Sequence, residues 1–184
     1  MTLLAILAGL AASTPTAADV FQTFEALCLS TGASPAAAVA KASAQGWTEI
    51  PAEQLRRLPS ISGDPANLQG RARRVGDTTQ GLIVERIPAG RTMPATYDCQ
   101  LNIEGVSYAA VLPLAAKWAA VPPTGQQPKG TMFVFSNAAG QHKAVNLAEV
   151  DKAGPQAIRA RAITQFNVHD LSRGVALQII IPVR

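Results

Sequence analysis

The side chains in this 184-residue chain that could do chemistry are two histidines, twelve acids and two cysteines. Their spacing decides which reactions stay open. His169 is followed by Asp170, the dipeptide that metal-dependent phosphohydrolases use. Such a site needs further His and Asp ligands on helices, and the second histidine, His142, falls beside Lys143 in an expected hairpin. The dipeptide is therefore read as part of a turn, and no metal set is assigned. No serine stands in a GxSxG elbow, and neither GxxxxGK nor GxGxxG occurs, so no motif implies a nucleotide or other cofactor. Glu85, Asp98, Glu104, Glu149 and Asp151 could converge for glycosidase-type chemistry, but no spacing nominates a pair.

The cysteines read differently. Val20, Phe21, Phe24, Leu27 and Cys28 fall at helical spacing on one face, which puts the thiol on a buried stripe. A nucleophilic cysteine needs an adjacent base and an exposed, electropositive setting, and this one has neither. Downstream, Tyr97, Cys99, Leu101 and Ile103 alternate with Asp98, Gln100 and Asn102, the pattern of a half-buried strand. Cys99 sits on its apolar face. A Cys28–Cys99 disulfide between a covering helix and a sheet is expected, the alternative being two separate buried thiols. The chain-entropy model gives it a ceiling of roughly 4 kcal/mol. The spacing excludes a CxxC redox pair and makes a poor zinc site.

A disulfide implies an oxidising compartment, and the N-terminus agrees. Residues 1–18 carry no charge, and residues 3–12 form an apolar run of signal-peptide size, too short to span a bilayer. Thr16 and Ala18 occupy the −3 and −1 places of a cleavage site ahead of Asp19. The Lys or Arg usual near such a start is missing, and a buried apolar helix is the other reading. Phe24, Glu25, Ala26 and Leu27 do not make a lipobox before Cys28. Later apolar runs are broken by charge, Gly or Pro, so no transmembrane segment is expected. The location read from this is periplasmic or secreted, with residues 19–184 as one domain.

The elements that must position these groups follow in order. Ser34 and Pro35 open a second helix as N-cap and N1, and Gly46 closes it in the left-handed C′ place, turning Trp47 back. Leu55 and Leu58 suggest one short helical turn. Residues 59–80 read as irregular, a length that marks a functional loop or a misread element. Residues 81–87 and the Cys99 strand come next, then a helix over 106–121 with Val111, Leu114, Ala115 and Trp118 on one side and Pro113 starting or kinking it. A hairpin spans 131–147, with a short helix near 147–153. Residues 155–168 are open between helix and strand, with strand favoured. The run 175–183 is strongly β-forming, and Pro182 near its end suggests an edge or a fraying terminus. The sum is an α+β fold, with two N-terminal helices and one inserted helix on a mostly antiparallel sheet of five to six strands.

The charge is +4, from 16 bases against 12 acids, which permits contact with anionic surfaces. Arg71, Arg73 and Arg74 form the nearest thing to a cluster, a candidate anion contact in the 59–80 loop. No aromatic platform interleaves with it, so no specific nucleic-acid binding is expected. The Phe24 and Cys28 helix, the Gly46–Trp47 pair and the CQLNI strand at Cys99 resemble small exported proteins of Gram-negative bacteria without an assigned activity. That resemblance implies export and no site residues.

Together these readings favour a non-enzymatic binding or interaction domain, its partner an envelope protein or a small ligand. A periplasmic hydrolase using carboxylates or His169, and a secreted enzyme inhibitor, are the alternatives. The 19–47 helical pair is expected to be a structural cover, with recognition elsewhere.

Overall fold

A computed structural model describes residues 14–58, 62–127, 129–138 and 140–183. The apolar run 3–12 lies outside them. The chain is α+β, and among the described residues its nine strands form one antiparallel sheet in the order β1 (Thr48–Glu49), β2 (Leu68–Val75), β3 (Thr78–Ile87), β4 (Thr96–Glu104), β9 (Gly174–Pro182), β8 (Ile163–Leu171), β6 (Gly130–Ala138), β5 (Gly125–Gln127), with β7 (Gln141–Ala144) also paired to β6.

Helix α1 (Ala17–Phe24) begins on a capping box, in which Thr16 Oγ1 accepts from the Asp19 amide at 3.2 Å and Thr16 N donates to Asp19 Oδ2 at 2.8 Å. The Thr16 hydroxyl also donates to Asp19 Oδ2 at 2.6 Å, and this bond first, with that from the Thr16 amide, holds the Asp19 carboxyl below its ordinary value. The helix widens into a π turn over Glu25–Leu29, closed by Ser30 N donating to the Glu25 carbonyl at 2.9 Å. The stripe Val20, Phe21, Phe24, Leu27 and Cys28 is buried as its spacing requires. Helix α2 (Pro35–Ala44) ends where Gly46, at φ +79°, lets Trp47 N reach the Ala42 carbonyl.

Strand β1 (Thr48–Glu49) and the short helix α3 (Ala52–Leu55) lead to β2 (Leu68–Val75), β3 (Thr78–Ile87) and β4 (Thr96–Glu104). Helix α4 (Tyr108–Ala119) carries Pro113 inside it, and starts on Ser107, whose hydroxyl accepts from Ala110 N. Then come β5 (Gly125–Gln127), β6 (Gly130–Ala138), β7 (Gln141–Ala144), α5 (Leu147–Ala160), β8 (Ile163–Leu171) and β9 (Gly174–Pro182).

Helices α1, α2 and α4 cover one face of the sheet. Phe24 stacks on Phe166 at 5.5 Å and Trp118 meets Phe166 edge-on at 5.1 Å, so few aromatics fill the centre of this layer. A smaller core, Val134, Val145, Ile158 and Ile163, lies under α5.

Four expectations need correcting. The sheet has nine strands, not five or six, partly because its rim strands β1 and β5 are two and three residues long. The supposed loop 59–80 is mostly sheet: β2 pairs with β3 from Leu68↔Glu85 to Val75↔Thr78, while residues 59–61 lie outside the described set. Residues 155–168 divide, helical to Ala160 and extended from Ile163. Finally, β9 is central between β4 and β8, and Pro182 is its last residue, paired opposite Thr96. A proline at a strand's end costs the ladder little.

Candidate functional site

A cleft of about 600 Å³ opens at one end of the sheet, between the helical layer and the strands. Its size is within the ~300–1,000 Å³ typical of small-molecule sites. Leu29, Thr31 and Ser34 form one wall, from the connection between the π turn and α2; Gly32 at φ +59° and Ala33 at φ +56° give that connection its sharp reversal. The floor is sheet: Tyr97 from β4, Ile179 and Ile181 from β9, Thr164 from β8, Phe135 from β6. Trp118 of α4 and Arg159 of α5 complete it, with Asn137.

Burial separates base from rim. Phe135 and Ile179 are buried, whereas Asn137 and Arg159 are exposed. The Thr31 hydroxyl donates to the Leu27 carbonyl at 2.6 Å and that of Thr164 to the Ala162 carbonyl at 3.1 Å, so both are occupied. Ser34, although at the N-cap position, makes no side-chain cap bond. Among the described lining residues, its hydroxyl, the Tyr97 hydroxyl, the Asn137 amide and the Arg159 guanidinium are thus polar groups left to a ligand. No Asp or Glu among the described residues lines the cleft. His142 backs it indirectly, stacked on Phe135 at 4.1 Å and edge-on to Trp118 at 4.9 Å. Its Nδ1 donates to the Ala119 carbonyl at 3.0 Å, an acceptor that fixes the tautomer.

The other sheet face holds a polar chain. Gln165 Nε2 donates to Asn167 Oδ1 at 3.2 Å, Asn167 Nδ2 to Gln178 Oε1 at 2.9 Å, and Gln178 Nε2 to Asp98 Oδ2 at 2.9 Å. Because the Gln178 amide is oriented by Asp98, His169 Nε2 donates to Gln178 Oε1 at 3.2 Å. Asp98 stands directly opposite Glu85 across the β3–β4 ladder. Burial pushes the Asp98 carboxyl up to about 7; the bond from Gln178 opposes this and the neighbouring Glu85 adds to it. Asp98 Oδ1 is buried without a hydrogen-bond partner, the oxygen where the proton of a neutral acid would reside. Glu85 Oε1 accepts from Ser62 N at 3.0 Å.

The candidate residues named from sequence are placed as follows. Cys28 and Cys99 are joined by a disulfide with Cα atoms 5.6 Å apart. The arginines are divided by strand alternation: Arg73 lies over the Trp47 ring at 4.6 Å and donates to Gln80 Oε1 at 2.7 Å, while Arg71 donates to Ser43 Oγ and approaches Glu49 at 3.7 Å. Arg74, the residue after Arg73, projects to the opposite face, so the three do not share one patch. Histidines 142 and 169 also occupy opposite faces, and His169 lies within β8, not in a turn. Of the five acids considered, Glu85 and Asp98 do meet. They are 2% and 6% exposed, and neither lines the cleft. Among the described residues no group of three or more His, Cys, Asp or Glu is suited to a metal, and no helix is long and apolar enough to cross a membrane.

Sequence reasoning missed the cleft because its lining comes from separate elements with no common spacing. A usable signal existed for the polar chain: Gln178 is the lone polar residue in VALQIIIPV, and a buried amide needs partners. Compared with protein-family models, curated proteins and solved structures, the chain gives no match.

Proposed function

We propose that this chain is an exported, disulfide-stapled binding domain that holds a small ligand in the cleft between the α1–α2 connection and Trp118. The observation that carries this reading is the cleft's composition. Among its described lining residues it has a largely apolar base of Tyr97, Trp118, Phe135, Ile179 and Ile181, a few polar groups at the rim and no acid to pair with a base. Binding sites have this make-up, with an apolar interior and few orienting polar groups. A hydrolase would want its titratable groups exposed to substrate in a cavity, and the Glu85–Asp98 pair is buried away from this one. The disulfide supports an oxidising destination.

Fragment screening by heteronuclear NMR tests it. Bound fragments should shift the amides of Leu29, Thr31, Ser34, Tyr97 and Ile181 together. Shifts gathering instead around Asp98, Gln178 and His169, or no hits across a diverse library, would refute the cleft as the binding site.

A further inference from the structure

Given that the cleft is the binding site, we infer that its ligand is an anionic amphiphile, an apolar body carrying one carboxylate. Charge complementarity points to this class, because the described lining is otherwise uncharged. Arg159 is the one formally charged side chain among the described lining residues, and no carboxylate there competes for it. Among the described residues it makes no ion pair; the Arg71–Glu49 contact is the pair found there. An arginine presents a planar fork of donors that matches a carboxylate, and its charge persists at any physiological pH. Ser34 and Asn137 stand on the same rim with no hydrogen bond from their side chains to other described residues. They can donate to the same head group. The apolar part has its counterpart in the base, where Phe135 and Ile179 are buried and Trp118 lines the cleft beside them. A cationic amphiphile would meet Arg159 with no compensating acid, and a fully polar molecule would strand the aromatic base.

The test uses isothermal titration of the disulfide-intact protein with sodium dodecanoate and 2-naphthoate. Each is compared with its uncharged alcohol, dodecanol or 2-naphthylmethanol, below micelle-forming concentrations. Arg159 is exposed, so its variants should fold. At least one carboxylate should bind more tightly than its alcohol. R159Q should weaken it about threefold and R159E about tenfold, the range for a solvent-accessible ion pair removed and then reversed, with R159K restoring most of the affinity. The alcohols should bind each variant equally. Alcohols binding as tightly as the carboxylates, or R159E leaving the carboxylates unaffected, would overturn the anion assignment while leaving the cleft in place. No binding by any of the four compounds would overturn the cleft reading and this assignment with it.

Discussion

Replacing Asp98 by asparagine should abolish one specific part of the protein's pH dependence. The folded Asp98 carboxyl titrates near 7, against an ordinary 3.8. Between those values the folded state holds a proton that the unfolded chain has released. Stability from this group is therefore complete below about pH 4 and is lost as pH rises through about 7. At about 1.4 kcal/mol per pH unit, the gap corresponds to roughly 4 kcal/mol. Asparagine keeps the shape, can still accept from Gln178 Nε2, and cannot ionise. The two proteins should be close in stability near pH 4.5, and at pH 8 the D98N protein should be more stable by a few kcal/mol. Urea unfolding followed by tryptophan fluorescence at both pH values measures this, and the difference between the proteins cancels the titrating groups remote from Asp98. If wild type and D98N lose stability in parallel from pH 4.5 to 8, the neutral buried acid does not exist and the account of the Asp98 network fails.

The other expectations concern the framework. Breaking the Cys28–Cys99 bond with a C28A/C99A pair should lower stability by up to roughly 4 kcal/mol, since the bond closes a 71-residue separation; a loss under 1 kcal/mol by urea unfolding would contradict this. At Gly174 a Cβ would run into the Ile103 carbonyl on β4, so G174A should cost about 3 kcal/mol, and a thermal midpoint equal to wild type would show that the ladder yields there. If export removes residues 1–18, N-terminal sequencing of secreted material should begin at Asp19, and an intact Met1 would refute the cleavage. The cut would also strip Thr16 from the start of α1, so a protein beginning at Thr16 should be more stable than one beginning at Asp19 by about 1 kcal/mol.

Where one residue's environment was set by its near neighbours, the sequence was readable. The β4 alternation and the α1 stripe each fixed a cysteine's direction locally, and the two directions met. Helix α2 was delimited by Ser34–Pro35 and Gly46 because termini have local chemistry. Strand β2, LQGRARRV, showed no strand pattern because its inward residues Arg71 and Arg73 are charged. They are tolerated there only because Trp47, Gln80, Ser43 and Glu49, from other elements, receive them. Gly70 sits in the strand because a Cβ there would come within 2.8 Å of Leu55 and 2.9 Å of Ile50, a close approach invisible in sequence. In 155–168 helix and strand signals abut, with Gly154 at φ +70° breaking α5 just before Pro155. The run ending at Pro182 looked like an edge because of its proline, yet Val175–Ile179 is buried on both faces, the mark of a central strand.

The position of the disulfide bears on the cleft as well as on stability. Cys28 lies in the π turn, and the next residue, Leu29, begins the cleft wall. On the partner strand Cys99 is followed on the same face, two residues back, by Tyr97, which lies on the cleft floor. The covalent bond therefore joins a wall residue's neighbour to a floor residue's neighbour, across 71 residues of sequence. A π turn is an unusual backbone that persists where its surroundings hold it. Here it is held on one side by the buried Leu27 and Cys28 and on the other by Ala33 N donating to the Cys28 carbonyl at 2.8 Å. The 19–47 helical pair, expected to be a cover remote from recognition, thus supplies a wall of the proposed site from the connection between its helices. A cleft whose wall and floor are fixed to each other before binding spends less of its interaction energy on ordering itself. In the proposed binding domain this is a functional reason for the staple to join the π turn to β4.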